Sequence, residues 1–186
     1  MVGAQVTSLA TRVKTRWKNF SKDRRGATAV EFAMIAGPFL FLIFGFVEVC
    51  MIFIMSSLIE HAVSEASRPL RTGEAQNAAI TVEQFRQNVC LEFYEILDCG
   101  ERLSIDVRTI DRFSDSPAGL PLDEDGNVDD EDFGFDPGGA NDIVTVRVFY
   151  AWDLITPFIS QPLQNMSGNR HLLSATAVFR NEPFGG

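Results

Sequence analysis

The chain has 186 residues, 46% of them hydrophobic, with a formal net charge of −9. That length holds one membrane helix and one small domain. Within residues 1–26, ahead of the long apolar run, Arg12, Lys14, Arg16, Lys18, Lys22, Arg24 and Arg25 stand against the single acid Asp23, and no lysine follows the run. The acidic, lysine-free remainder argues against nucleic-acid binding, which needs basic groups to neutralise phosphates.

Residues 1–26 read as a basic leader. Positive residues flank the inner end of a membrane span, so this leader belongs in the cytoplasm and the acidic remainder on the far side. Val6, Leu9, Val13, Trp17 and Phe20 alternate loosely with the basic residues. That pattern fits either a helix on the inner membrane surface or an unstructured basic tail.

Residues 27–72 read as one long helix. From Phe32 to Phe53 the only ionisable side chain is Glu48. At about 1.5 Å per residue the segment is roughly 30 Å long, the thickness of a bilayer core. Gly37-Pro38 predicts a kink rather than a break, because a membrane helix can re-satisfy the freed backbone groups. Leu58, Ile59, Ala62, Val63 and Ala66 then recur at helical spacing, opposed by Glu60, His61, Ser64 and Glu65. The second half is therefore amphipathic and needs something to pack on. Pro69 and Gly73 signal its end.

Residues 73–186 read as a small domain. Thr81 is a helix cap, and Val82, Phe85, Val89, Phe93 and Leu97 carry a second helical stripe that runs to Gly100. RLSIDVRTI alternates as a half-buried strand does, and DIVTVRVFYAW and HLLSATAVFRNE read as two further strands. Residues 114–141 form a long acidic loop, and Thr156, Pro157 and Pro162 mark an irregular or helical link. The expected fold class is α+β: a long N-terminal helix packed on a small antiparallel sheet.

The leader and the first helix meet in SKDRRGATAVEFAMIAGPFLFLIFGFVEV, residues 21–49. A basic run ends in Gly26, the small Ala27 follows, Glu31 comes five residues after the glycine, and the apolar run starts directly behind it. A secretory signal places its cleavage site after the apolar region. Here the candidate site, between Gly26 and Ala27, lies before it. Cleavage there would leave the apolar helix on the mature protein.

This arrangement resembles a type IV prepilin signal. RRGATAVEFA…FLIFGFVE is similar to the TadE/TadF-like pseudopilins, the minor pilins of tight-adherence (Flp-type) pilus systems, over roughly residues 24–66. The resemblance implies a long helix that is the spine of a pilin-like domain, and a structural role in initiating, priming or capping a pilus used in cell adhesion and biofilm formation. It implies several partners: a prepilin peptidase that trims at Gly26, other pseudopilins, the major pilin, platform proteins and a cytoplasmic ATPase acting through the platform. It also implies a single-pass protein of the inner membrane, with its C-terminal domain in the periplasm or carried into a surface pilus. Whether the chain plays the TadE-like or the TadF-like part stays open.

The residues leave several roles open. In prepilin-like proteins the glutamate matching Glu31 neutralises the free N-terminus of a neighbouring subunit; the alternative is a carboxylate resting among lipid head groups. Glu48 either reaches up to water or contacts a partner helix, the resemblance extending to its FG-x-x-E setting. Cys90 and Cys99, on the oxidising side, are either a disulfide or two thiols. Cys50 is a packing residue in the membrane.

Asp123, Asp125, Asn127 and Asp129 alternate as in calcium loops, but Gly126 is misplaced for an EF-hand and no spaced glutamate closes the loop. A solvated acidic loop is the expectation, with no metal site and no cofactor. His61 and His171 have no acid and nucleophile pattern around them, and no catalytic motif is present. The expectation is a peptidase substrate rather than an enzyme. The rival reading is an unprocessed, signal-anchored periplasmic ligand-binding or sensory domain.

Overall fold

The computed structural model describes residues 26–94, 96–156 and 159–184. The reading of the leader up to residue 25 and that of Pro157 lie outside them. The chain divides into two compact units, up to Phe44 and from Gly45 onward.

Helix α1 runs from Ala27 to Thr72, 46 residues. In the first unit, from Val30 to Phe44, its large apolar side chains point outward and are exposed. The helix continues through Gly37-Pro38. In the second unit it buries Met55, Ile59, Ala62, Val63, Ala66, Ser67 and Leu70. These positions follow the three-to-four-residue spacing of a single helical stripe, so the amphipathic half packs on the domain while its polar side faces out. The helix passes Pro69 and stops at Gly73, whose φ of 83° is left-handed backbone that glycine adopts without a Cβ penalty.

Helix α2 is a short turn, Glu74–Asn77, and helix α3 spans Val82–Leu91. Thr81 and Gln84 form a reciprocal capping box at the start of α3. The helix is shorter than its periodicity predicts. It ends at Leu91 rather than near Gly100, and Tyr94 takes a positive φ of 50°. Phe93 and Leu97 are buried all the same, from turns rather than from helix. Cys90 and Cys99 are joined with their Cα atoms 6.0 Å apart. Nine residues of continuous helix would hold them roughly 13 Å apart, too far for a disulfide. Cys90 thus sits in the last turn of α3 rather than at its middle.

Strands β1 (Leu103–Ile110), β2 (Ile143–Asp153) and β3 (Arg170–Arg180) form one antiparallel sheet in that order. The inner face carries Leu103, Ile105 and Val107 from β1, Val144, Val146, Val148 and Tyr150 from β2, and Leu173 and Ala175 from β3. These join the α1 stripe and Phe85, Val89 and Phe93 in one core. The architecture is α+β, as the pattern of elements predicts.

The central strand β2 is buried on both faces. What covers its outer face is the acidic loop. Leu122, Val128 and Phe133 pack against Phe149, Ala151, Met166 and Leu172. Phe135 reaches round to Phe85, ring centroids 5.6 Å apart. The expectation of a merely solvated loop is therefore corrected: its apolar residues close the second face of the sheet. Its acids stabilise its own turns. Asp123 accepts from the Asn127 amide, Asp136 from Gly138, and the flanking Asp142 from Gly139. Carboxylates that bond nearby amides hold tight turns in place.

Candidate assembly and anchoring site on the long helix

Gly26 opens α1: its carbonyl accepts the Val30 amide at 3.1 Å, the first bond of the helix. Gly26, Ala27 and Glu31 are all exposed. Glu31 lies in the second turn, just past the first turn, which carries no acid.

Glu48 behaves otherwise. It is 1% exposed, and its carboxylate is held by the loop after β2. The Ile155 amide donates to Oε1 at 2.9 Å, the Thr156 amide to Oε2 at 2.9 Å, and the Thr156 hydroxyl to Oε2 at 2.7 Å. The two roles that the sequence offered, reaching to water or meeting a partner helix, are both replaced by a contact within the chain. Three donors on one carboxylate are an anion site of the charge-assisted kind. One turn earlier, a Cβ on Gly45 would stand 3.1 Å from Cγ2 of Ile159. Gly45 and Glu48 together receive the loop, which gives the FG-x-x-E setting a structural meaning.

The Cys90–Cys99 bond lies beside a shallow groove lined by Gln87, Leu91, Tyr94 and Leu97. Leu91 and Tyr94 are exposed there.

A buried polar group that the sequence did not single out lies under the acidic loop. Asp106 on β1 is fully buried. Its Oδ2 accepts from Arg147 Nε and Nη2, its Oδ1 from Arg108 Nε and Nη2, and Oδ1 also takes the Gly134 amide. Burial pushes this carboxyl up, but the bonds from Arg108, Arg147 and Gly134 outweigh it and hold it below the usual range. Arg147 also lies over the rings of Phe149 and Phe133, 5.4 and 5.9 Å from their centroids. The only hint in the sequence was a charged residue at the centre of each of two strands. All five donors are satisfied within the fold, so the cluster reads as a structural tie between sheet and loop. Among the described residues no group of three or more His, Cys, Asp or Glu side chains could hold a metal ion.

Among the described residues one helix is long and apolar enough to cross a membrane, and it leads into a small three-stranded antiparallel sheet: an α+β protein whose N-terminal helix fits a single-pass anchor. Residues 26–68, the greater part of the long helix, are similar to the family model described as TadE-like protein. The match starts at Gly26 and ends before the sheet. No curated protein and no solved structure matches the chain.

Proposed function

We propose that this chain is a minor pilin or pseudopilin of a tight-adherence pilus. It is cut after Gly26 by a prepilin peptidase and takes part in initiating, priming or capping the fibre. One observation carries the reading: Gly26, Glu31 and an outward-facing apolar helix stand in prepilin order on a TadE-like segment that continues as the spine of its own domain. In this reading residues 1–26 are the cytoplasmic leader, 27–72 the span and its extension, and 73–186 the domain beyond the inner membrane.

Glu31 is the assembly residue, paired with the new α-amino group of a neighbouring subunit. Glu48, satisfied within its own chain, shapes the subunit that is assembled. Such a protein works by packing rather than catalysis. Its partners are the prepilin peptidase, other pseudopilins, the major pilin and the platform proteins.

The test is N-terminal sequencing of the membrane-embedded form from cells that hold the peptidase. The expected first residue is Ala27. A mature N-terminus at Met1 in those cells would favour a signal-anchored sensory domain instead.

A further inference from the structure

The apolar run contains one acid, and its partners are backbone amides from a loop more than a hundred positions away. Glu48 stands five positions before Phe53, the outer end of the run, so it lies about 8 Å inside the span at 1.5 Å per residue. The loop that clasps it must reach the same depth. We propose that the segment after β2, carried by Leu154, Ile155 and Thr156, dips into the outer leaflet beside α1 and gives the domain a second contact with lipid. This rests on the reading of α1 as a membrane span.

Three features of the loop fit a lipid surface. First, five of the six backbone polar groups of Leu154, Ile155 and Thr156 are satisfied from within. The Leu154 amide donates to the Asn169 carbonyl at 3.1 Å, and the Ile155 and Thr156 amides to Glu48. The Leu154 carbonyl accepts from Asn169 Nδ2 at 3.0 Å, and the Thr156 carbonyl from the Ser160 amide and hydroxyl. A loop in water has no need of such closure, but irregular backbone at membrane depth does.

Second, Ile155 is 62% exposed. Its own amide is tied to the Glu48 carboxylate while its side chain stays largely open. The α1 residues on either side of Glu48, Phe46, Val47, Phe53 and Ile54, are exposed as well, as side chains that face lipid in a spanning helix are. Third, the clasp accounts for an acid in the span. A carboxylate near a membrane interior is costly unless paired, and three donors brought down by the loop supply the pairing. Interfacial segments reach about 5–10 Å into the headgroup and acyl boundary, the depth that Glu48 sets.

The experiment uses the full chain, with Cys50→Ser to remove the free thiol, in phosphatidylcholine liposomes. Ile155→Cys carries an environment-sensitive fluorophore. Leu42→Cys, within the span, and Ser174→Cys, exposed on β3, carry it in parallel. Doxyl groups on the lipid acyl chains should quench the dye at 155 and at 42 but not at 174, with a blue-shifted emission at both. Iodide in the water should quench only 174.

Adding Glu48→Ala to the Ile155→Cys protein should return the dye at 155 toward the iodide-accessible state and leave 42 unchanged. If 155 reports water while 42 reports lipid, the proposal is overturned and the span stands. If 42 also reports water, the membrane reading itself fails. Shielding at 155 that appears only when partner pilins are added would assign the surface to protein and overturn a lipid contact.

Discussion

Asp106 on β1 and Arg147 on β2 are register partners in the sheet, and their side chains meet at 2.7 Å beneath the acidic loop. Both are buried, and Arg108 completes the carboxylate from the same side. The pair joins three pieces of chain, because the Gly134 amide from the loop bonds the same carboxylate and Arg108 donates to the Asp132 carbonyl. Removing one member of a buried pair leaves the other charged and unpaired, at about 3–5 kcal/mol. Asp106→Ala should therefore lower stability by an amount of that order, measured by denaturant unfolding of the full chain in detergent. A loss under 1 kcal/mol would show that the loop is held by Phe133 and Phe135 instead.

The same carboxyl makes stability depend on pH in a defined direction. Its folded-state pKa lies below that of an exposed aspartate. The unfolded chain therefore binds its proton first as pH falls, so the contribution is complete above the ordinary carboxylate range and is lost as pH drops through the folded value. Wild-type unfolding should become easier on acidification in that window, and Asp106→Ala should flatten the slope. Equal slopes in the two proteins would remove Asp106 from the acid response.

Gly73 ends α1 with a left-handed φ of 83°, and a Cβ there would stand 2.3 Å from Cγ of Phe184. Both the backbone conformation and the close ring oppose any side chain. Gly73→Ala should cost more than about 1 kcal/mol, and Phe184→Ala should recover part of the loss by clearing the clash while leaving the strained φ. The comparison of the two proteins by thermal unfolding separates the two causes.

Local pattern carried much of this fold. The stripe Ile59, Ala62, Val63 and Ala66 is readable because neighbours on a helix face are fixed by its pitch, and the three strands because their apolar residues cluster between turn residues. What the sequence hid is pairing between distant positions. Glu48 waits for a loop 107 residues away, and Asp106 for an arginine 41 residues away; neither separation leaves a periodic trace. The early end of α3 was hidden because Phe93 and Leu97 keep helical spacing while entering the core from turns. In the acidic loop the charge concealed Phe133 and Phe135, the residues that decide where it lies.

The Cys90–Cys99 bond closes a short loop at the end of α3. Chain entropy gives such a loop about 2–3 kcal/mol. The bond also holds the turn that buries Phe93 and Leu97. Mass spectrometry of non-reduced protein from its native compartment should find the two peptides linked, and Cys90→Ser with Cys99→Ser should lower stability by about that amount. Two alkylatable thiols in native material would remove the bond from the account.

Glu31 should matter for assembly and not for folding. It is exposed in the second turn of α1, while the first helix residue buried in the domain core is Met55. Met55 comes 24 positions later in the chain, and no residue of the domain core comes from the segment that holds Glu31, so the core does not draw on this carboxylate. Under the proposed function a neighbouring mature subunit would offer something better: the α-amino group that cleavage after Gly26 would free. Opposite charges attract more strongly in a low-dielectric setting, and each is costly to leave unpaired there. Glu31→Ala should thus leave insertion, cleavage and thermal unfolding of the domain unchanged, while reducing both co-purification with other pilins and the number of pili. Glu48→Ala should do the reverse at the level of the subunit, lowering its stability before assembly is reached. Following processing, unfolding and piliation together in the two mutants distinguishes these roles. Normal piliation with normal partner binding in Glu31→Ala would leave that residue an interfacial carboxylate and nothing more.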